Sequence, residues 1–176
     1  MGWLFFILLS CVSTEQYLVT NFADVSVAPT FVVGAPIQKA QWKSLPSVRI
    51  CANTKVSLLR VQKAIKYWEM LGYRFDSVFV DVKLTCREPN YGEIIITLPE
   101  AGFKDRHIAA TRIYTERSAG NIAKAKIFIY PREARRQRVM EHEIGHALGW
   151  LHYEKKFHMM HPNWHEGGYG ASGLRK

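Results

Sequence analysis

Residues 139–152 read Val-Met-Glu-His-Glu-Ile-Gly-His-Ala-Leu-Gly-Trp-Leu-His, and this stretch combines a helix pattern with regularly spaced histidines. Apolar residues recur about every four positions, which predicts an amphipathic helix that packs one face on a core. These apolar residues are Val139, Met140, Ile144 and Leu148. Because residues four apart share a helix face, the side chains of His142 and His146 would point to one place. The stretch therefore predicts a helix that presents two imidazoles side by side.

Three more residues complete a metal-binding pattern. Gly149 lies one turn after the second histidine, and a glycine there can end the helix in a left-handed conformation and turn the chain back. That turn would bring His152 to the same point as His142 and His146. Three imidazole nitrogens at roughly 2.0–2.1 Å from a zinc ion leave its fourth position open for water. Glu143 follows the first histidine and can reach that water, so the pattern predicts one catalytic zinc ion per chain with Glu143 as base.

The run 142–152 resembles the extended zinc signature of the metzincin metallopeptidases, H-E-x-x-H-x-x-G-x-x-H, and matches it at every specified position. That family has a second mark, a methionine in a tight turn beneath the zinc. Met160-His161-Pro162 is similar to the Met-x-Pro of the matrixin branch, and Met159 is the alternative turn methionine. The resemblance implies a zinc-dependent endopeptidase that binds a peptide or protein substrate, extended, along an antiparallel edge strand.

The resemblance also implies a fold and a substrate pocket. The fold would be α+β and zincin-like, with a twisted mixed five-stranded sheet, one packing helix, one active-site helix and a short C-terminal Met-turn segment. By the same analogy, Pro162 and Trp164 would line the pocket for the substrate residue after the cleaved bond, unless Trp164 only packs on the core. Tyr153 occupies the position where the large metzincin branches have Ser, Asp or Glu, so the sequence does not assign the chain to one branch of the family. Only residues 163–176 follow Pro162, which implies a minimal catalytic domain.

Apolar periodicity alone predicts the rest of the secondary structure. A period of two indicates strands and a period near four indicates helices. The predicted strands are 48–52, 77–85, 93–98, 108–114 and 121–130; the predicted helices are one between Thr54 and Gly72 and one that follows Pro131. This order describes a mixed sheet with a helix packed on it. The resemblance to metzincins implies that the strand at 108–114 is the antiparallel edge strand that binds the substrate.

Three cysteines bear on the compartment of the protein. Leu8-Leu9-Ser10-Cys11 resembles a bacterial lipoprotein processing site, so Cys11 is a candidate for lipidation. Without Cys11, Cys51 and Cys86 remain as a pair, which favours a disulfide in an exported protein. In a cytosolic protein both would simply be small buried residues.

The chain divides into three predicted parts. Residues 1–13 resemble a secretory or lipoprotein-type leader, although no Lys or Arg precedes the apolar run. Residues 14–45 show no clear period and are interpreted as a linker or extended arm, with a short inhibitory pro-segment as the alternative. Residues 46–176 form the catalytic domain. These features predict a secreted or extracytoplasmic protein, with membrane attachment through Cys11 if that residue is lipidated.

The charge suggests an alternative function. The chain has 176 residues and a formal net charge of +9, which suits an anionic partner. The alternative is therefore a non-catalytic zinc-containing module that binds an anionic surface or nucleic acid. No recognised nucleic-acid motif is present, so we expect no specific nucleic-acid partner. We also expect a monomeric protein. Glu143 favours the enzyme, because a structural zinc site does not need that carboxylate.

Overall fold

The structure is a computed structural model that describes residues 14–23, 34–83, 85–100, 107–116 and 120–176. In this described part, the regular elements are six strands and two α-helices. They are β1 (Thr14–Ala23), β2 (Ser47–Cys51), α1 (Leu58–Met70), β3 (Val78–Asp81), β4 (Glu93–Thr97), β5 (His107–Glu116), β6 (Ile122–Ile129) and α2 (Val139–Ala147). The fold class is α+β, as the order of periodic segments predicts.

All six strands form one mixed sheet in the order β1-β5-β6-β4-β2-β3. β2, β3, β4 and β6 pair in parallel, and β5 runs antiparallel to β6. The mixed five-stranded sheet expected from the sequence is therefore present within this larger sheet. β4 and β6 are buried along almost their whole length, as expected for central strands covered on both faces.

The sixth strand lies in the region expected to be a linker or extended arm. Residues 14–23 are extended, and they pair antiparallel with β5 from Thr14 opposite Glu116 to Ala23 opposite His107. β5 has the predicted antiparallel direction, but it is not the edge of the sheet in this structure because β1 covers it. An extended segment of mixed composition carries no clear period of its own, so sequence periodicity alone does not reveal this pairing.

The N-cap of helix α1 is Ser57, three residues after Thr54, the N-terminal limit of the predicted helix. The Ser57 side chain, rather than Thr54, accepts a hydrogen bond from the backbone N–H of Arg60 at 3.2 Å. Thr54 instead donates to the carbonyl oxygen of Cys51 at 2.7 Å, inside the short turn before the helix. Gly72 follows the helix with φ +100°, which matches the predicted stop.

Two other element boundaries also differ from the sequence prediction. β3 is shorter than the predicted strand 77–85 and ends at Asp81. Its Val80 is 41% exposed because β3 lies at the edge of the sheet, and Val82, just after the strand, is 81% exposed. Helix α2 does not follow Pro131 directly. A 3₁₀ turn at Glu133–Arg135 comes first, and α2 begins after Arg138, which has φ +67°.

Buried polar bonds fix α2 against α1. The guanidinium of Arg60 donates to both carboxylate oxygens of Glu141, at 2.8 and 2.6 Å. Trp68, fully buried on α1, donates its indole N–H to the carbonyl oxygen of Glu141 at 2.8 Å. A bidentate Arg–carboxylate pair is directional, so these bonds define the position and the rotation of α2 as well as its burial.

A disulfide joins Cys51 at the end of β2 to Cys86 in the loop before β4, with their Cα atoms 5.5 Å apart. Both cysteines are buried next to Ile95. The bond confirms the predicted pair and is compatible with an extracellular, oxidising location. Cys11 and the remainder of the predicted leader lie outside the described residues. Within the described residues, no helix has the length and apolar character needed to cross a membrane.

The disulfide should contribute strongly to stability, because it closes a loop with a sequence separation of 35 residues. We expect the double variant Cys51→Ala/Cys86→Ala to lower the free energy of unfolding by about 3–4 kcal/mol, chiefly by freeing the unfolded chain. Chemical denaturation of protein prepared under oxidising conditions measures this loss. Two free thiols in the unmodified protein, found by mass spectrometry of its peptides, would contradict the pairing.

Candidate metal centre

The three predicted ligand histidines lie together. His142 and His146 are fully buried on α2, and their Nε2 atoms are 2.9 Å apart. The Nε2 of His152, from the segment after the helix, lies 3.3 Å from the Nε2 of His142. One nitrogen from each of the three residues falls within 4.8 Å of the other two. The helix spacing predicted for the first pair and the turn predicted for the third residue thus produce one convergent cluster.

The turn that brings His152 to the helix depends on Gly149. Its φ is +95°, and a Cβ placed there would lie 2.0 Å from the carbonyl oxygen of Ala40. Residues on both sides of this contact are hydrogen-bonded: Lys39 N–H donates to Gly149 O, and Leu151 N–H donates to Ile37 O, both at 2.9 Å. Glycine is therefore needed for its conformation and for the close approach of a second backbone.

Backbone carbonyls orient the two helix histidines. His142 Nδ1 lies 2.8 Å from the carbonyl oxygen of Met159, and His146 Nδ1 lies 2.7 Å from that of Trp150. A carbonyl oxygen only accepts, so both Nδ1 atoms carry the proton and both Nε2 atoms present lone pairs. Two lone pairs 2.9 Å apart repel each other unless a cation lies near both of them. This arrangement of outer hydrogen bonds is typical of metal-binding histidines.

Burial keeps all three imidazoles neutral. Burial lowers the pKa of His142 and of His152 well below the ordinary value, and the neighbouring histidines lower both further. Burial also lowers the pKa of His146, to about 4, against a smaller opposite effect of its bond to Trp150. Metal ligation requires the neutral form of histidine, so the cluster is ready to bind at neutral pH without first releasing protons.

The residues present fit a zinc ion. Three nitrogens in a tetrahedral zinc site with bonds of about 2.0–2.1 Å are separated by about 3.3 Å. The observed separations from His142 are 2.9 and 3.3 Å, close to that value, and all three nitrogens lie within 4.8 Å of one another. Three imidazoles are also a donor set that zinc prefers, although the donor set alone does not exclude other transition metals.

Glu143, which follows His142 on α2, is fully buried. Its Oε2 accepts a hydrogen bond from the hydroxyl of Thr111 on β5, at 2.5 Å. Its Oε1 is buried and has no hydrogen-bond partner among the described residues. Burial raises the pKa of Glu143 to about 8, and the hydrogen bond from Thr111 opposes part of that rise. One oxygen of this carboxylate is thus held, and the other is unpartnered within the described part of the chain.

The two candidate turn methionines have different positions. Met160 is fully buried, and its sulfur lies where a Cβ on Gly145 would be only 2.5 Å away, so its side chain packs directly on α2 between the two ligand positions. Its backbone N–H donates to His158 Nδ1 at 3.1 Å. Met159 supplies the carbonyl that orients His142. Met160 therefore packs on the helix that carries His142 and His146, and its assignment to a turn beneath a zinc ion stays a prediction.

Trp164 and Pro162 lie close after this turn. The half-buried indole of Trp164 donates to the carbonyl oxygen of Gln137 at 2.9 Å, and the guanidinium groups of Arg136 and Arg138 lie 5.4 and 5.6 Å from its ring centre. The tryptophan thus packs on the segment before α2. Pro162 is also half-buried. The pocket role of both residues stays a prediction.

Four groups that support the site were not singled out from the sequence. Two are the carbonyl oxygens of Met159 and Trp150, and backbone carbonyls leave no signal in a sequence. The third is His158, which is buried and bonded to Ser172 and Met160. The fourth is Thr111. The sequence does contain a signal for this residue, because it is a polar side chain in the middle of the predicted strand 108–114, which the resemblance places at the substrate-binding edge.

Comparison with known proteins does not identify the chain. No protein-family model matches it, and no curated protein sequence is significantly similar to it. The chemistry of the site is therefore inferred from its own residues: three neutral, convergent imidazoles and one buried carboxylate.

The role of the Gly149 turn can be tested with Gly149→Ala. Positive φ and the contact with Ala40 should together cost about 2–4 kcal/mol of unfolding free energy, and displacement of His152 should weaken zinc binding. Gly120→Ala is the matched control, since Gly120 has φ +65° with no atom within 4 Å of the added Cβ; it should cost about 1 kcal/mol and retain zinc. Denaturation and metal titration measure both effects; equal losses in the two variants would contradict the close approach.

Proposed function

We propose that this chain is a zinc-dependent endopeptidase of the metzincin type, with a matrixin-like catalytic domain. The observation that carries the proposal is the histidine cluster together with Glu143: the residue that follows His142 on α2 is a buried carboxylate whose Oε1 has no hydrogen-bond partner among the described residues. A purely structural metal site does not need such a carboxylate. A catalytic site needs it as a proton acceptor.

His142, His146 and His152 would hold the zinc ion. When bound, zinc supplies a Lewis acid that lowers the pKa of water toward about 7 and polarises a carbonyl group. Within the described residues the cluster contains no fourth His, Cys, Asp or Glu, so the protein groups there provide three ligands and no closing one. This favours an open, catalytic coordination over the non-catalytic zinc module.

Glu143 would act as the general base and then as the general acid. Its carboxylate takes a proton from the attacking water and delivers that proton to the amine that leaves when the peptide bond breaks. A group works best in this role when its pKa lies near the working pH, and burial of Glu143 raises its pKa to about 8. A nearby metal cation would lower that pKa and keep the carboxylate ionised at the start of the reaction.

The substrate would be an extended peptide or a protein segment. β5 contributes Thr111 to the site, so a peptide paired with the outer edge of β5 would pass next to Glu143. Backbone pairing of this kind supplies affinity without demanding a particular sequence. Pro162 and Trp164 would shape the pocket for the residue after the cleaved bond. The proposal needs neither a second subunit nor nucleic acid.

The compartment proposed for this activity is outside the cytoplasm. The Cys51–Cys86 bond is compatible with an oxidising compartment, and the proposed endopeptidase would be secreted, or lipid-anchored if Cys11 is processed.

Glu143→Ala tests the central claim, because Glu143 is adjacent to a ligand but is not one. The variant should retain one equivalent of zinc and its fold, and it should lose at least about 100-fold in kcat because proton transfer is removed. His146→Ala is the comparison, and it should lose most of the zinc as well as the activity. Metal analysis and cleavage of a peptide selected from a library with the unmodified protein measure both.

Equal cleavage by Glu143→Ala would refute the assignment, because it would place the activity elsewhere. A metal content of two equivalents in the unmodified protein would refute the claim of a single zinc site, since only one group of three histidines is expected to bind zinc.

A further inference from the structure

Thr111 joins the sheet to the helix that carries the cluster. It is fully buried in the middle of β5, opposite Ile127 of β6. Its hydroxyl oxygen lies 2.5 Å from Oε2 and 3.2 Å from the backbone carbonyl oxygen of Glu143. A hydroxyl has one proton to donate, and a carboxylate is the stronger acceptor of the two. The hydrogen bond of Thr111 is therefore directed to the carboxylate.

We propose that Thr111 is a positioning residue for Glu143, an inference that rests on the proposed peptidase function. By holding Oε2, Thr111 leaves Oε1 as the oxygen that exchanges the proton. The proton moves from water to Oε1 and then from Oε1 to the leaving amine. The O–H bond of Thr111 neither breaks nor forms, so Thr111 contributes geometry alone.

The physical need for such a bond comes from the last torsion of glutamate. Rotation about the bond to the carboxylate is broad and weakly hindered, so packing alone does not set the plane of the two oxygens. A general base must lie within about 2.6–3.2 Å of the proton that it takes. The Thr111 bond fixes the plane from β5, while the fixed helix places the Cα atom of Glu143.

Two substitutions separate this role from simple packing. Thr111→Val keeps the shape and removes the hydroxyl, so kcat should fall by about 10- to 100-fold while KM changes little, because a misplaced base slows the chemical step. Thr111→Ser keeps the hydroxyl and should retain most of kcat. Thr115→Val makes the same change at another buried threonine of β5 and should leave kcat unaltered.

Measurements without turnover complete the test. Both Thr111 variants should bind one zinc equivalent. Crystal structures should show the Glu143 carboxylate rotated or in two orientations in Thr111→Val, and unchanged in Thr111→Ser. An unchanged kcat in Thr111→Val, or an unmoved carboxylate, would overturn the proposal. If even the unmodified protein cleaves no peptide, the peptidase function fails, and the crystal structures still decide whether Thr111 orients Glu143.

A second inference comes from backbone pairing alone. β1 runs antiparallel along β5, and Val19 lies opposite Thr111, the residue bonded to Glu143. The outer edge of a strand can pair with one partner at a time, whether a strand of the same chain or a bound peptide. β1 therefore occupies the edge that the proposed substrate needs.

From this pairing we infer that residues 14–23 are a displaceable cover that competes with the substrate for β5, if the proposed function holds. A tethered strand competes at an effective concentration in the millimolar range, which raises the apparent KM. The pairing is irregular between Val19 and Asn21, next to the position of Thr111. Such an irregularity interrupts the ladder of hydrogen bonds and eases displacement there.

Proline substitutions in the full chain test the cover. Successive N–H groups of a strand point to opposite sides, so only one of Leu18 and Val19 can donate to β5. Leu18→Pro and Val19→Pro should therefore differ. The variant that loses a ladder bond should show a KM lowered by about 10-fold or more, and the other, which serves as the matched control, should change less.

Binding of a free peptide provides a readout that does not need cleavage. A labelled peptide Thr-Glu-Gln-Tyr-Leu-Val-Thr-Asn-Phe-Ala, the sequence of residues 14–23, should bind the sensitive proline variant more tightly than the unmodified protein. Equal peptide binding to all three proteins, or an unchanged KM in both variants, would overturn the proposal that residues 14–23 cover the edge of β5. Tighter peptide binding without any cleavage would support that proposal and refute the proposed peptidase function.

Discussion

The close approach of Gly149 to the carbonyl oxygen of Ala40 is the contact on which the site depends. A helix alone can bring only His142 and His146 together, because the third histidine lies beyond its end. The glycine turn reverses the chain against residues 37–40, and backbone hydrogen bonds hold it there. Without this contact His152 would have no defined position, and the cluster would present two ligands where a catalytic zinc ion needs three.

The position of α2 follows from buried polar bonds on its two sides. On one side, Arg60 and Trp68 of α1 bind Glu141; on the other, Thr111 of β5 binds Glu143. A buried polar group without a partner is costly, so these directional bonds favour one rotation of the helix over others that would bury similar apolar area. The same rotation directs His142 and His146 to the cluster and packs Gly145 against Met160.

β5 is the element in which the proposed catalysis and the proposed regulation meet. Its side chain at Thr111 is hydrogen-bonded to Glu143, the proposed general base, and its outer backbone edge pairs with β1. A strand has these two independent sets of groups because side chains and backbone polar groups point in different directions. Occupation of the edge therefore leaves the geometry of Glu143 intact, and displacement of β1 would expose a site that is already assembled.

The amino-acid sequence by itself determined the three histidines that could hold a metal ion, the carboxylate that follows the first of them, and the succession of strands and helices. Helical spacing, a glycine after the helix and alternating apolar residues are local patterns with a direct physical meaning. It also indicated the Cys51–Cys86 pair, through the number of cysteines. Only the tertiary structure decided which groups orient the site. The carbonyls of Met159 and Trp150 and the hydroxyl of Thr111 act across the fold, and no local periodicity encodes such contacts. The pairing of residues 14–23 with β5 likewise depends on the partner strand, because backbone hydrogen bonds between strands are made by every residue type and leave no pattern in the sequence.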